Sequence, residues 1–141
     1  MSTTMRCHWI VSLLGVCLLF TGCGGGKPTA KLFAVNGKLT QGGKPLAGVR
    51  ISFAPVDRAL PTSTAVVQAG GEFVLKCLDG RDGAVAGKHK VVLEVVRGPD
   101  DYQPGKQPPA IPFPQDFMNA ATSPKEVEVK DSNDVIVIDI Q

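Results

Sequence analysis

From Phe33 to the end of the chain, apolar residues alternate with polar ones and never settle into the spacing of an amphipathic helix. That pattern restricts the fold, because successive side chains point to opposite sides of a strand and the same side only about every 3.6 residues of a helix. Lys88 to Val96 is the clearest case. His89, Val91, Leu93 and Val95 share one face there, and Lys90, Val92, Glu94 and Val96 the other. Val49, Ile51 and Phe53 alternate in the same way with Arg50, Ser52 and Ala54, and Pro55 ends the run. An earlier strand through Phe33, Val35 and Leu39 is predicted to stop at the turn Gln41-Gly42-Gly43-Lys44-Pro45. Thr62 to Ala69 and Glu72 to Leu75 flank Gly70-Gly71, which predicts a hairpin with a two-residue connection. Asp79-Gly80-Arg81-Asp82-Gly83 reads as loop. Val127 and Val129 alternate with Glu126, Glu128 and Lys130, and a polar turn at Asp131-Ser132-Asn133 leads to Val135–Ile140. This last run is apolar on both faces until Asp139, which predicts a strand inside a sheet with a partner on each side. Ala110 to Ala121 is interrupted by Pro112 and Pro114. Seven short strands separated by turn signals predict an all-β, antiparallel sandwich.

The first 26 residues follow a different logic. A short polar start with Arg6 precedes the apolar run Trp9 to Phe20, and Thr21-Gly22-Cys23-Gly24-Gly25-Gly26 follows it. This is the layout of a secretory signal. As a helix the run spans about 18 Å, short of a bilayer core of about 30 Å. Leu19-Phe20-Thr21-Gly22-Cys23 resembles the lipobox of bacterial lipoproteins, in which the signal is cut before a cysteine whose thiol carries a diacylglycerol. The resemblance implies removal of residues 1–22 and lipidation at Cys23. Phe20 stands where such sequences usually carry leucine, and ordinary signal cleavage with Cys23 incidental is the rival reading. Gly24 rather than aspartate after the cysteine implies, by analogy with lipoprotein sorting, the outer membrane. Residues 23–32 then form the lipidated cysteine and a flexible tether, with Gly24-Gly25-Gly26 lacking any preceding strand or following Gly-Lys-Ser/Thr that would suit a phosphate.

Removal of the leader leaves 119 residues with 14 Lys and Arg against 13 Asp and Glu. That length suits one domain, residues 33–141, large enough to bury a core without metal or disulfide. Scattered basic residues argue against nucleic acid as a partner. Cys7 and Cys17 leave with the leader, so an acylated Cys23 leaves Cys77 unpaired; two cysteines also fall short of any zinc pattern.

Several stretches resemble the carboxypeptidase regulatory-like, transthyretin-like domains, above all those of small bacterial lipoproteins built from one such domain. They are Val35-Asn36-Gly37-Lys38-Leu39, Gly43 to Val49, Ile51-Ser52-Phe53-Ala54-Pro55, Gly71 to Leu75 and Ala86 to Val91, with a proline-rich stretch ending near Thr122-Ser123-Pro124 before the last strands. The resemblance covers residues 33–141 and implies a seven-stranded Greek-key sandwich of the prealbumin type. Its motifs mark the fold and not an activity. Relatives that hydrolyse a purine-derived ring end in Tyr-Arg-Gly-Ser, whereas this chain ends Val137-Ile138-Asp139-Ile140-Gln141.

Catalysis needs a nucleophile, a base and a means of holding developing charge. After processing, His89 is the one histidine, on an apolar strand face, and Cys77 lies twelve residues before it with no third group evident. Asp79, Asp82, Asp100 and Asp101 are candidate calcium ligands, yet Asp-Gly-Arg-Asp-Gly is not an EF-hand spacing and suits turns equally. The irregular Gly98–Pro124 segment is either functional or a long crossing. Its Tyr102, Phe113 and Phe117 form a contact surface for peptide or glycan, or fold back to plug the sandwich. The expectation is a lipid-anchored, non-catalytic structural or interaction module of the cell envelope, without cofactor. Its partners are the membrane through the anchor and an envelope protein or glycan. The alternative is a ligand- or calcium-binding accessory protein using residues 98–124 and the Asp79 loop.

Overall fold

A computed structural model describes residues 30–131 and 135–141. The leader, Cys23, the tether as far as Thr29, and Ser132 and Asn133 of the polar turn lie outside the described residues. Eleven short strands follow in order: β1 (Leu32–Phe33), β2 (Asn36–Gln41), β3 (Lys44–Pro45), β4 (Val49–Pro55), β5 (Ser63–Val66), β6 (Glu72–Val74), β7 (Lys76–Cys77), β8 (Ala84–Val85), β9 (Gly87–Val95), β10 (Glu126–Val129) and β11 (Ile136–Ile140). Helix among the described residues is confined to two single 3-10 turns, Pro99–Tyr102 and Gln115–Met118.

The two alternating runs make the centre of the larger sheet, whose order is β10-β9-β4-β5-β7. β4 and β9 pair antiparallel from Val49↔Val95 to Pro55↔His89, so Val49, Ile51, Phe53, Val91 and Leu93 are all buried on one face. The smaller sheet is built on β2. It pairs with β3 and β6 on one side and β11 on the other, and it contributes Leu39, Phe73, Ile138 and Ile140 to the shared core. Each such side chain, fully buried, contributes about 1.5–3 kcal/mol of transfer free energy. The result is an all-β sandwich. β1 and β8 form a separate two-stranded pair at one end.

Turn chemistry is followed closely where a backbone demands it. Gly42 and Gly43 both have positive φ, 55° and 78°, and close the two-residue β2–β3 hairpin between Gln41 and Lys44. At the Gly70-Gly71 site the local turn forms, but with three residues in its loop. The Gly71 amide donates to the Gln68 carbonyl, the Gln68 amide donates to the Glu72 carbonyl, and Gly71 takes φ 82°. The predicted hairpin then fails beyond the turn, because β5 joins the larger sheet and β6 the smaller. The turn carries the chain from one layer to the other.

Two further expectations are corrected at β11. It pairs parallel to β2, from Ile136↔Gly37 to Ile140↔Gln41, in a sandwich expected to be antiparallel throughout. It also lies at the sheet edge, with Val135 61 % and Val137 64 % exposed, instead of between two partners. Valine suits an extended backbone even on a wet face, so an apolar run on both sides overstated burial. A strand arriving from the other layer is not held antiparallel by a tight turn.

The proline-rich segment continues the work of β10 along β9. The Val91 amide donates to the Lys125 carbonyl, and the Ser123 hydroxyl donates to the Val91 carbonyl. Phe113 and Phe117 are buried in the core, which is the plugging arrangement. The Tyr102 side chain lies outside the described residues.

Candidate functional site

The strand registers sort the candidate residues onto two ends of the molecule. The chain leaves β4 at Pro55, beside His89 and Lys88, and leaves β7 at Cys77, beside Ser63. The Asp79 loop therefore sits at the same end as the β1–β8 pair. The chain leaves β9 at Val95, beside Val49, so Gly98 and the start of the proline-rich segment lie at the opposite end.

At the first end, Asp79 and Arg81 form a compact node. The Arg81 guanidinium donates to Asp79 Oδ2 through Nε at 2.9 Å and Nη2 at 2.6 Å, and the Arg81 amide donates to Oδ1 at 3.1 Å. The guanidinium, then that amide, then the Cys77 thiol hold the Asp79 carboxyl down at about 2. The remaining arm, Nη1, donates to the Ala30 carbonyl at 3.1 Å. Arg81 thus pins the first described residue to the loop. Gly83 allows the neighbouring close approach, since a Cβ there would stand 2.2 Å from the Phe33 carbonyl oxygen.

Asp82 faces Lys76 at 3.4 Å. At the far end, Asp101 accepts from the Gly98 amide at 2.8 Å and pairs with Lys106; the amide, then the lysine, lower its carboxyl below the usual range. Asp100 accepts from Gln103. The four candidate calcium ligands are thus divided between opposite ends, and no group of three metal-capable side chains occurs among the described residues.

His89 is fully buried. Its Nε2 lies 2.8 Å from the Val85 carbonyl, which makes Nε2 the protonated nitrogen and leaves Nδ1 without a partner, with the Phe53 ring 5.9 Å away. Cys77 is a buried free thiol on β7. Between β9 and β7 stand β4 and β5, so His89 and Cys77 are about three strand spacings apart, roughly 14 Å. No proton can pass directly between them. Sequence reasoning missed Ser63, whose buried hydroxyl has no partner and which sits directly opposite Cys77. Its place in the alternation with buried Val67 was the available signal.

Two open grooves are found among the described residues. One of about 380 Å³ lies between the end of β9 and the proline-rich segment, lined by Arg50, Glu94, Val96, Arg97, Ile111 and Met118. The other, about 470 Å³, opens where β5 and β6 part company. Comparison with protein-family profiles, with curated proteins and with solved structures finds no match in any of the three. The fold places the chain in the class of all-β sandwiches.

Proposed function

We propose that the protein is a lipid-anchored module of the cell envelope, tethered through Cys23, that works by contact and not by catalysis. The observation supporting the non-catalytic part is the burial of its candidate nucleophiles and their separation from His89. The His89 ring, the Cys77 thiol and the Ser63 hydroxyl are each buried, and strand order keeps the first two far apart. The anchor rests on the run Leu19-Phe20-Thr21-Gly22-Cys23 after a short apolar segment. Acyl chains supply about 0.8 kcal/mol per buried methylene, and several together give durable attachment. The outer membrane is the proposed location. For the domain, we propose the seven-stranded Greek-key arrangement of the carboxypeptidase regulatory-like sandwiches, several of the eleven strands being fragments of longer ones.

Metabolic labelling with a fatty-acid analogue tests the anchor. The expected result is label on the wild-type chain and none on Cys23→Ala, with intact mass giving a start at residue 23 plus lipid. An unmodified amino terminus on a freely soluble chain refutes the reading.

The groove beside Ile111 and Met118 favours a second reading, a ligand-binding accessory protein that uses the 98–124 segment. The calcium form of that reading has no support among the described residues, where Asp79 and Asp82 are matched by Arg81 and Lys76 and lie at the opposite end from Asp100 and Asp101. A rise in melting temperature with added calcium would restore it.

A further inference from the structure

Four of the five most exposed large apolar side chains of the described domain lie at the end where the chain departs toward Cys23, and the fifth, Val137, 64 % exposed, stands further along the open face of β11. Leu78 is 71 % exposed at the mouth of the Asp79 loop, and Val56 is 55 % exposed on the neighbouring loop after β4. Val135 and Val74 are comparably exposed beside the first residue of β2. Val96, Ile111 and Met118, toward the other end, are only 37–45 % exposed.

Ala30 is held at this same end by Arg81, and Phe33 by its pairing with Ala84. Ala30 lies seven residue steps beyond Cys23 in the sequence. Fully extended they reach at most about 25 Å, so the clamped end cannot stand far from whatever holds Cys23. Most cations nearby are matched: Lys31 faces Asp131, Lys76 faces Asp82, Arg81 faces Asp79 and Lys88 faces Glu126. Arg58, exposed two residues beyond Val56, makes no ion pair among the described residues, so anionic headgroups find one available cation beside the apolar contacts of Leu78 and Val56.

We propose that this end of the sandwich, led by Leu78 and Val56, rests on the lipid surface and fixes the domain upright. The groove between β9 and the proline-rich segment then faces away from the membrane. The proposal rests on the lipid-anchor reading and adds an orientation to it. Exposed valine and leucine tips entering the headgroup layer lose apolar surface to lipid, while the clamp at Ala30 keeps them there.

The processed chain offers a clean optical test, because the single tryptophan of the sequence is Trp9, in the leader. Leu78→Trp, Val56→Trp and Ile111→Trp each introduce one reporter at an exposed site. The processed lipoprotein is reconstituted in vesicles of phosphatidylethanolamine and phosphatidylglycerol, with and without brominated acyl chains. The expected result is about twofold quenching at positions 78 and 56, with a blue-shifted emission, and none at 111. An acylated, vesicle-bound protein with positions 78 and 56 unquenched overturns this proposal alone, as does equal quenching at all three. A protein that lacks lipid and stays off the vesicles overturns the anchor reading and the orientation together.

Discussion

Gly37 and Phe73 face each other across β2 and β6, and the phenyl ring lies over the glycine where a side chain would stand. A Cβ built on Gly37 falls 2.1 Å from Phe73 Cζ and 2.7 Å from both Cε atoms. The ring has no easy retreat. It is buried, and the Phe53 ring packs edge-on against it at 6.1 Å. Gly37 is not among the positive-φ positions, so alanine fits the backbone and by propensity alone gains about 0.5–1 kcal/mol. Overpacking a well-filled core typically costs about 1–3 kcal/mol, and contact with three ring atoms places this case at the upper limit. Gly37→Ala is therefore expected to destabilise by about 2 kcal/mol net, lowering the melting temperature by about 8 °C in a domain of this size. The assay is a urea titration with unchanged slope and a lower midpoint. Combining Gly37→Ala with Phe73→Leu removes the colliding ring atoms, and the double variant is expected to be more stable than the sum of the two single losses by about 1 kcal/mol. A Gly37→Ala midpoint at or above wild type refutes the reasoning, because propensity would then outweigh contact with the ring.

Further outcomes follow from the same contacts. Asp79→Asn removes a carboxylate held at about 2 against an ordinary 3.8. A lowered folded-state pKa adds stability above the ordinary value and loses it as pH falls through the lowered one. The melting-temperature gap between wild type and this variant is thus full above 3.8 and closes near 2; a gap constant across that window contradicts the Arg81 pairing. Ser63→Ala deletes an unpartnered buried hydroxyl and is expected to raise stability by about 1 kcal/mol in urea, where a loss of that size would mean the hydroxyl has a partner. Val137→Lys on the open face of β11 is expected to stay within about 0.5 kcal/mol of wild type, while Ile138→Lys, at a fully buried position, abolishes cooperative unfolding. Comparable losses from both would restore the expectation of a strand covered on each side.

The central pair β4 and β9 was legible because both strands keep one apolar face from end to end, and burial of Val49, Ile51, Phe53, His89, Val91 and Leu93 follows that parity. The Gly70-Gly71 turn was legible for a local reason, the need for positive φ at Gly71. Its consequence was not, because alternation says which side of a strand is dry and nothing about which sheet it joins. β11 misled through valine itself, whose preference for extended backbone is the same wet or dry. For the candidate site, Asp79 was visible as a loop residue. Its pairing with Arg81 two residues on, and the reach of that arginine to Ala30, depend on side-chain direction in a turn that residue spacing does not encode. The separation of His89 from Cys77 was equally hidden, since twelve residues along the chain carry no information about the two strands placed between them.

The clamp at Ala30 also has a mechanical side. Tension applied through Cys23 would be met first by one arginine hydrogen bond, the exposed Lys31–Asp131 ion pair and a pairing only two residues long, Leu32↔Val85 and Phe33↔Ala84, ahead of the core strands. Peeling that short pair frees Ala30 to Ala34 and lengthens the leash by about 17 Å at an extended rise per residue. A tug from the bilayer is thereby absorbed as slack, and the body of the protein keeps its shape.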